Sequence, residues 1–238
     1  MVIKAYKENC AYAIKTFVSA QHIPAAEIQR RLFYYEAHIL KLIGHSRIPK
    51  YVEIFSFQHN EYMVQEYVRG DPLSNMILKG YLFSEAEIVK LIVQLLEILC
   101  YLHRQYIVHR DLRLGNLILN DGQLYLIDFG LARKFQFISD MISLPDPVPR
   151  NASPAYLALR RDIAPRSDVF GVGIVAIDLM SNWFPGDASD DLAEYPISIE
   201  FKDFLKKLLS RRDGFTTAFE ALHYLKNNLG ITSDFHLR

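Results

Sequence analysis

The stretch His109-Arg110-Asp111-Leu112-Arg113-Leu114-Gly115-Asn116, with Asp128-Phe129-Gly130 downstream of it, carries the strongest structural signal in this sequence. Residues 116–120 and 123–128 form short apolar segments joined by Asp121-Gly122, a dipeptide typical of two-residue hairpin turns. An antiparallel hairpin brings its first and last residues together. We therefore expect Asn116 and Asp128 to lie near each other at the open end.

Three polar side chains are predicted to converge at this open end. Asp111 lies five residues before Asn116. The short intervening loop is expected to hold Asp111 beside Asn116 and Asp128. Carboxylate and amide oxygens suit Mg²⁺, which usually completes its coordination with water and substrate phosphates. Each residue alone is common in turns and caps. Their joint spacing is what predicts a site for magnesium and phosphate.

The residues before this stretch alternate between strand and helix signals. In chain order we predict a hairpin of strands 2–6 and 11–17 around the turn 7–10, a helix over 25–43 ended by Gly44, and a hairpin of strands 51–57 and 61–67 around His59-Asn60.

A break at 69–72 separates these strands from a region that reads as mostly helical. Ser84 and Glu87 form a capping-box pattern ahead of a long apolar helix. Further helices resume at Val169, Glu200 and Thr217, after a proline-containing loop over 131–157 whose length is typical of functional loops. This order predicts an α+β, two-lobed architecture, with a small strand-rich lobe over 1–68 and a larger helical lobe over 69–238.

Composition excludes several classes of protein. Half of the 238 residues are hydrophobic, which favours a packed core over disorder, and Lys plus Arg equals Asp plus Glu at 27 each. The balanced charge gives no signal for binding nucleic acid or a membrane surface. The unpaired spacing of Cys10 and Cys100 predicts neither disulfides nor a zinc site. We expect a cytoplasmic protein without a membrane anchor.

The stretch at 109–130 resembles the catalytic and metal-binding loops of eukaryotic-type protein kinases. Upstream, Tyr12-Ala13-Ile14-Lys15 resembles their Val-Ala-Ile-Lys strand, and Glu36 falls where the family has the Glu that pairs with this Lys. Downstream, Ser167-Asp168-Val169-Phe170 and Gly173 resemble the start of a central helix. The resemblance spans about residues 2 to 227 and implies a two-lobed protein-kinase-like fold.

The resemblance also implies a mechanism that uses ATP and Mg²⁺. It implies that Lys15 binds the phosphates of ATP and that Glu36 orients Lys15. It also implies that Asn116 and Asp128 bind the metal, that Asp111 accepts the proton of the attacking hydroxyl, and that Arg113 contacts the transferred phosphate. Arg113 stands where serine/threonine kinases place a Lys, so it keeps the charge with a different shape. Without Asp111 and Asp128, Lys15 would read as an ordinary strand lysine and Glu36 as a solvated helix residue.

An adenine site is implied at the segment that links the lobes. Backbone groups of Glu66 to Val68 are expected to contact the base, and Gln65 to stand at the back of the pocket. The apolar residues implied to enclose the ring are Val2, Ala13 and Ile118. These residues are core residues on any interpretation.

The segment 152–160 resembles the family's peptide-binding floor and implies a protein substrate. Ser153 is implied to bond Asp111, a feature of serine/threonine kinases. Arg110 suggests a loop ordered by phosphorylation, with Ser139 and Ser143 as candidates, although an ordinary solvated loop is the favoured explanation of both serines. The segment departs from the family at Arg160, where a Glu is usual, and Phe215 stands where its Arg partner is expected.

No Gly-x-Gly-x-x-Gly pattern occurs in the chain, and Val2 corresponds to the valine that follows the family's glycine-rich loop. We therefore expect an N-terminally truncated small lobe. Either the gene product begins upstream, or the protein holds ATP without this loop.

Three functions are compatible with these residues. The first is a protein kinase that transfers the γ-phosphoryl group of ATP to Ser or Thr of a protein. The second is a catalytically impaired kinase-fold protein, a pseudokinase, that binds or scaffolds a partner. The third is a small-molecule kinase, which the His-Arg-Asp and Ser-Asp-Val-Phe patterns disfavour.

Overall fold

A four-stranded antiparallel sheet forms the first part of the computed structural model, which describes residues 2–17, 24–134, 164–183, 192–210 and 212–229. The strands lie in the order β1-β2-β4-β3. Their bounds are Val2–Lys7 for β1, Cys10–Phe17 for β2, Tyr51–Phe57 for β3 and Asn60–Glu66 for β4. Both predicted hairpins are confirmed, because β1 pairs with β2 and β3 with β4.

The hairpin turns share one backbone conformation. Glu8 and Asn9 have φ of 50° and 65°, and Gln58 and His59 have φ of 47° and 63°. Positive φ at both central residues is typical of turns whose twist matches that of the flanking strands. The second turn therefore lies one residue before the predicted His59-Asn60, and Asn60 is the first residue of β4.

Helix α1 spans Pro24–Leu42 and packs beside this sheet. Phe33, Ala37 and Leu40 are buried, a spacing of three and four residues that places them on one helix face. Glu36 is also buried, at 2% exposure. A carboxylate this deeply buried normally has a charged or hydrogen-bonding partner. The predicted helix over 25–43 is confirmed to within one residue at each end.

Five further α-helices are present in the described residues that follow this sheet. They are α2 over Leu73–Leu78, α3 over Glu85–Arg104, α4 over Pro165–Leu179, α5 over Ile199–Leu209 and α6 over Ala218–Asn228. The apolar α3 packs against α4 and α6, and the predicted capping box of Ser84 and Glu87 is present at its start. The prediction that α4 begins near Val169 was wrong, because Pro165 occupies the first turn, where its missing N–H costs no hydrogen bond.

Short strands connect the helical part with residues 67–70, the linker that follows β4, and with the hairpin predicted at 116–128. They are β5 over Asp71–Pro72, β6 over Ile107–Val108, β7 over Leu117–Asn120, β8 over Gln123–Leu126 and β9 over Arg133–Lys134. The β7–β8 hairpin is confirmed, with its turn at Asp121-Gly122. The predicted break at 69–72 is partly wrong, because β5 pairs with β7.

Gly70 makes the approach of β5 to β7 possible. Its φ is +121°, and a Cβ at this position would lie 2.3 Å from the carbonyl oxygen of Leu119. Only glycine fits both the backbone angle and this clearance.

The fold class is the predicted one, α+β with a strand-rich first part and a helical second part. The lobe bounds 1–68 and 69–238 stay a prediction. Most of the predicted loop 131–157, together with Ser139, Ser143, Ser153 and Arg160, lies outside the described residues. No helix among the described residues is long and apolar enough to cross a membrane.

The two cysteines differ in exposure, which gives a test of the packing. Cys10 is exposed at the first hairpin turn, whereas Cys100 is buried in α3, and burial raises the pKa of its thiol to about 11. Since the thiolate is the reactive form, we expect a maleimide at neutral pH to label Cys10 rapidly and Cys100 only after unfolding. Counting labels by mass spectrometry with and without denaturant checks this. Labelling of both thiols in the folded protein would contradict the buried position of Cys100 in α3.

Candidate active site

Lys15 lies at the centre of the site and joins the sheet to the helical part. It lies on β2 opposite Met63 of β4. Its Nζ donates to Glu36 Oε2 of α1 at 2.6 Å and to Asp128 Oδ1 at 3.0 Å. One ammonium group therefore holds two carboxylates that are far apart in sequence.

Burial and charge compete at the Lys15–Glu36 contact. Burial alone would lower the pKa of Lys15, but the Glu36 and Asp128 carboxylates outweigh it and the pKa is raised. Burial raises the pKa of Glu36, and the nearby ammonium group offsets only part of this effect. Each group is thus the counter-ion that the other needs, because an unpaired buried charge is costly.

Asp128 has a backbone conformation that turns its carboxylate towards Lys15. Its φ is +62°, and Oδ1 also accepts from the Gly130 backbone N–H at 3.2 Å. The next residue, Phe129, is fully buried and meets His109 edge to face at 4.9 Å between ring centroids. Burial would raise the pKa of Asp128, yet the attraction of Lys15 outweighs it and the pKa is lowered. Asp128 is therefore ionised at neutral pH.

Gly130 lies close to all three charged groups. A Cβ at this position would be 3.3 Å from Asp128 Oδ1, 3.4 Å from Glu36 Oε2 and 3.5 Å from Lys15 Nζ. A side chain at 130 would therefore be tight only against the Asp128 carboxylate, while its distances from Glu36 and Lys15 would be ordinary contacts.

Asp111 and Asn116 form the second half of the site. Asn116 Nδ2 donates to the Asp111 carbonyl oxygen at 2.9 Å and to Asp111 Oδ2 at 3.0 Å. Arg113 Nε lies 3.5 Å from the same Oδ2. The backbone N–H of Ile127 donates to the Asn116 carbonyl oxygen at 2.9 Å, so Asn116 and Asp128 flank the open end of the β7–β8 hairpin as the sequence predicted.

The oxygen donors at this open end fit a hard divalent cation. Asn116 directs its amide nitrogen to Asp111, which leaves its amide oxygen for another partner. The Asp128 side chain is 38% exposed, so its carboxylate is accessible. Within the described part of the chain, no group of three or more His, Cys, Asp or Glu side chains is arranged to hold a metal. The two side-chain oxygens of Asn116 and Asp128 are the kind of ligand that Mg²⁺ takes from a protein, the rest of its coordination coming from water and phosphates.

Asp168 holds the loop that carries Asp111. Its carboxylate is buried in α4 and accepts from the backbone N–H groups of His109 at 2.8 Å and Arg110 at 2.7 Å. His103 Nε2 is 3.0 Å from the same carboxylate. Burial would raise the pKa of Asp168, but the bond and charge of His103 and the backbone N–H groups outweigh it and the pKa is lowered. Sequence reasoning used Asp168 only as a helix marker, since this role depends on contacts distant in sequence.

The residues predicted for adenine binding lie on both sides of the linker. Ala13 shares a strand face with Lys15 and is buried, as is Ile118 of β7. Val2 pairs with Lys15 on β1 and is 62% exposed. Glu66 and Val68 line a cavity of about 680 Å³. Lys15, Asp111 and Asp128 do not line this cavity, so enclosure of an adenine ring by these residues stays a prediction.

Comparison with known proteins agrees with this geometry. Residues 1–214 match the family model described as the protein kinase domain. The chain therefore belongs to the protein kinase family, of the eukaryotic serine/threonine type that its motifs indicate.

Several of the similar proteins are named as serine/threonine or calcium-dependent protein kinases. The chain is 30% identical to serine/threonine-protein kinase B of Synechocystis over 83% of this chain and 38% of that protein. It is 38% identical to the probable serine/threonine-protein kinase YbdM of Bacillus subtilis over 45% of this chain and 43% of that protein. It is 27% identical to calcium-dependent protein kinase 4 of Plasmodium berghei over 92% of this chain and 46% of that protein. The chain thus spans less than half the length of each of these relatives.

Proposed function

We propose that this chain is a protein kinase that transfers the γ-phosphoryl group of ATP, with Mg²⁺, to Ser or Thr of a protein substrate in the cytoplasm. The observation that carries the proposal is the contact of Lys15 with both Glu36 and Asp128, beside the Asp111–Asn116 pair. Phosphoryl transfer needs charge neutralisation and in-line positioning more than covalent chemistry, and these residues supply both.

Lys15 is proposed to bind the phosphates of ATP through its ammonium group. Glu36 is the fixed partner that aims it, because the Glu36 side chain is held in the core at 2.6 Å from Nζ. A lysine tethered in this way loses less rotamer freedom when a phosphate binds than a free surface lysine does.

Asp111 is proposed to accept the proton of the attacking hydroxyl. The bond from Asn116 fixes the direction of its carboxylate, so the base is oriented before a substrate arrives. Arg113 is 60% exposed beside Asp111 and is proposed to contact the transferred phosphate. Bound Mg²⁺ would neutralise phosphate charge during transfer, held by Asp128 and Asn116.

The nucleotide base is proposed to lie between the sheet and β7. Val2 and Ala13 would cover it from the sheet and Ile118 from below, with the backbone of Glu66 and Val68 supplying hydrogen bonds. The face of β2 that carries Ala13 and Lys15 supports this placement, since it brings the base and the phosphates to one side of the sheet.

A transfer assay with Lys15→Met tests this function. We expect label from γ-labelled ATP to appear on Ser or Thr of a generic acceptor protein when Mg²⁺ is present, and to vanish when the metal is chelated. Lys15→Met should lower the rate by about 100-fold or more, because the phosphates lose their fixed positive partner. Phosphoamino-acid analysis of the labelled acceptor is the measurement.

The matched control is Lys7→Met, which changes an exposed lysine of the same sheet. We expect it to leave the rate unchanged. Nucleotide binding without any transfer in the unaltered protein would favour the pseudokinase function instead, and label on an acceptor that Lys15→Met does not reduce would contradict the proposed role of Lys15.

A further inference from the structure

Tyr35 precedes Glu36 on α1 and contacts a different part of the molecule. Its hydroxyl accepts a hydrogen bond from the backbone N–H of Lys134 at 3.2 Å. The guanidinium of Arg133 lies over its ring, 5.3 Å from the centroid. Both partners belong to β9, which directly follows the segment that contains Asp128, so Tyr35 joins α1 to this short strand by two kinds of contact.

Strand β9 in turn is joined to the loop that carries Asp111. Ile107 pairs with Lys134 and Val108 with Arg133, and β6 leads directly into His109. The contacts of Tyr35 therefore connect the helix that carries Glu36 with the strand pair that supports the catalytic loop.

We propose that Tyr35 is a positioning residue that holds α1 in the orientation in which Glu36 reaches Lys15. Consecutive helix residues point about 100° apart, so one rotation of α1 sets both contacts at once. If Tyr35 leaves β9, the helix loses one of the contacts that oppose its rotation, and we expect the Glu36–Lys15 contact to weaken with it. The inference rests on the proposed function, because it assigns Glu36 a role in nucleotide positioning.

Tyrosine supplies two features here, a hydrogen-bond acceptor and an aromatic face. Its hydroxyl accepts the Lys134 N–H, and its ring face lies under the Arg133 guanidinium, which is almost completely buried at 1% exposure. A buried cation gains more from an aromatic face than an exposed one does. Phenylalanine keeps the ring and loses the hydroxyl, whereas leucine loses both.

A double-mutant cycle tests whether Tyr35 acts through Glu36. We expect Tyr35→Phe to lower kcat about fivefold through the lost hydrogen bond, and Tyr35→Leu to lower it about 20-fold through loss of both contacts. KM for the acceptor protein should stay unchanged. In a Glu36→Gln background, Tyr35→Leu should cause no further loss, since residues that act through one contact are not additive. Additive losses would overturn the proposal and leave Tyr35 a merely structural residue.

Tyr34→Phe is the matched control for the lost hydroxyl. The neighbouring Tyr34 is exposed, and its hydroxyl donates to Glu61 at 2.7 Å, away from β9. We expect this change to alter kcat by less than about twofold, as is typical of exposed positions.

Hydrogen exchange provides a readout that needs no catalysis. In Tyr35→Phe, the backbone amide of Lys134 should exchange about fivefold faster, because its acceptor is gone, and the amides of α1 should lose protection. Tyr34→Phe should leave them unchanged. If the unaltered protein transfers no phosphate, the proposed function fails while exchange still decides whether Tyr35 holds α1 to β9. Unchanged exchange at Lys134 and α1 would overturn the inference.

Discussion

Asp111→Asn is expected to lower the rate of phosphoryl transfer by about 10²- to 10⁴-fold, the usual contribution of a positioned general base. The amide keeps the shape of the carboxylate and an oxygen that accepts from Asn116 Nδ2, but it does not take up the proton of the attacking hydroxyl. Affinity for ATP should be nearly unchanged, because Lys15, Glu36 and Asp128 form a separate set of contacts. Initial rates of label transfer and calorimetric titration with Mg²⁺ and ATP measure the two quantities.

Asp121→Asn is the control for this change. Asp121 lies in the exposed β7–β8 turn with φ of 48°, a conformation that Asn adopts readily. We expect it to keep the full transfer rate. Equal rates in Asp111→Asn and the unaltered protein would remove Asp111 from the mechanism, and with it the claim that this loop is catalytic.

Asp168→Ala is expected to destabilise the fold by about 3–5 kcal/mol, the typical cost of removing one partner from a buried charged network. The backbone N–H groups of His109 and Arg110 would lose their acceptor in the core, and His103 would lose its partner. Arg110 has φ of 65°, an uncommon conformation that these bonds support. Urea unfolding followed by circular dichroism measures the change in the free energy of unfolding.

Two further variants test whether the loss of stability in Asp168→Ala comes from its buried carboxylate. Asp203→Ala removes an exposed carboxylate that lies 3.4 Å from Lys206, and it should cost less than about 0.5 kcal/mol. Asp168→Asn keeps one acceptor oxygen and should lie between these values, which allows a measurement if the alanine variant does not fold. A loss for Asp168→Ala no larger than that for Asp203→Ala would contradict the buried network.

The contribution of Asp168 also depends on pH in a definite direction. Its pKa is lower in the folded protein than in the unfolded chain. Its stabilising effect is therefore fully present above the ordinary carboxyl pKa, and it is lost as the pH falls through the lowered folded-state value.

Local patterns in the sequence were sufficient for the parts of the structure that depend on neighbouring residues. The Asp121-Gly122 turn predicted the β7–β8 hairpin, and the pairing of Asn116 with Ile127 follows from its register. The capping box at Ser84 was equally local. Strands β5, β6 and β9 were missed because two residues are too few to show any periodicity.

Contacts between residues that are distant in sequence could not be predicted from local sequence patterns. Lys15 and Glu36 were chosen from their resemblance to a family, since nothing in a strand lysine or a helix glutamate alone indicates that they meet. Asp168 was used only as a marker of a helix start and Tyr35 was given no role, because their partners lie 58 to 99 residues away in sequence. The catalytic and binding roles of the predicted residues stay predictions until the variants above are measured.

The tight crossing at Gly70 has a mechanical consequence for the whole molecule. Since this glycine lies directly against Leu119, the end of the linker and the hairpin that begins beside Asn116 belong to one rigid unit. A movement of β2 relative to this unit would lengthen the contact of Lys15 with Asp128 and leave the Asp111–Asn116 pair undisturbed.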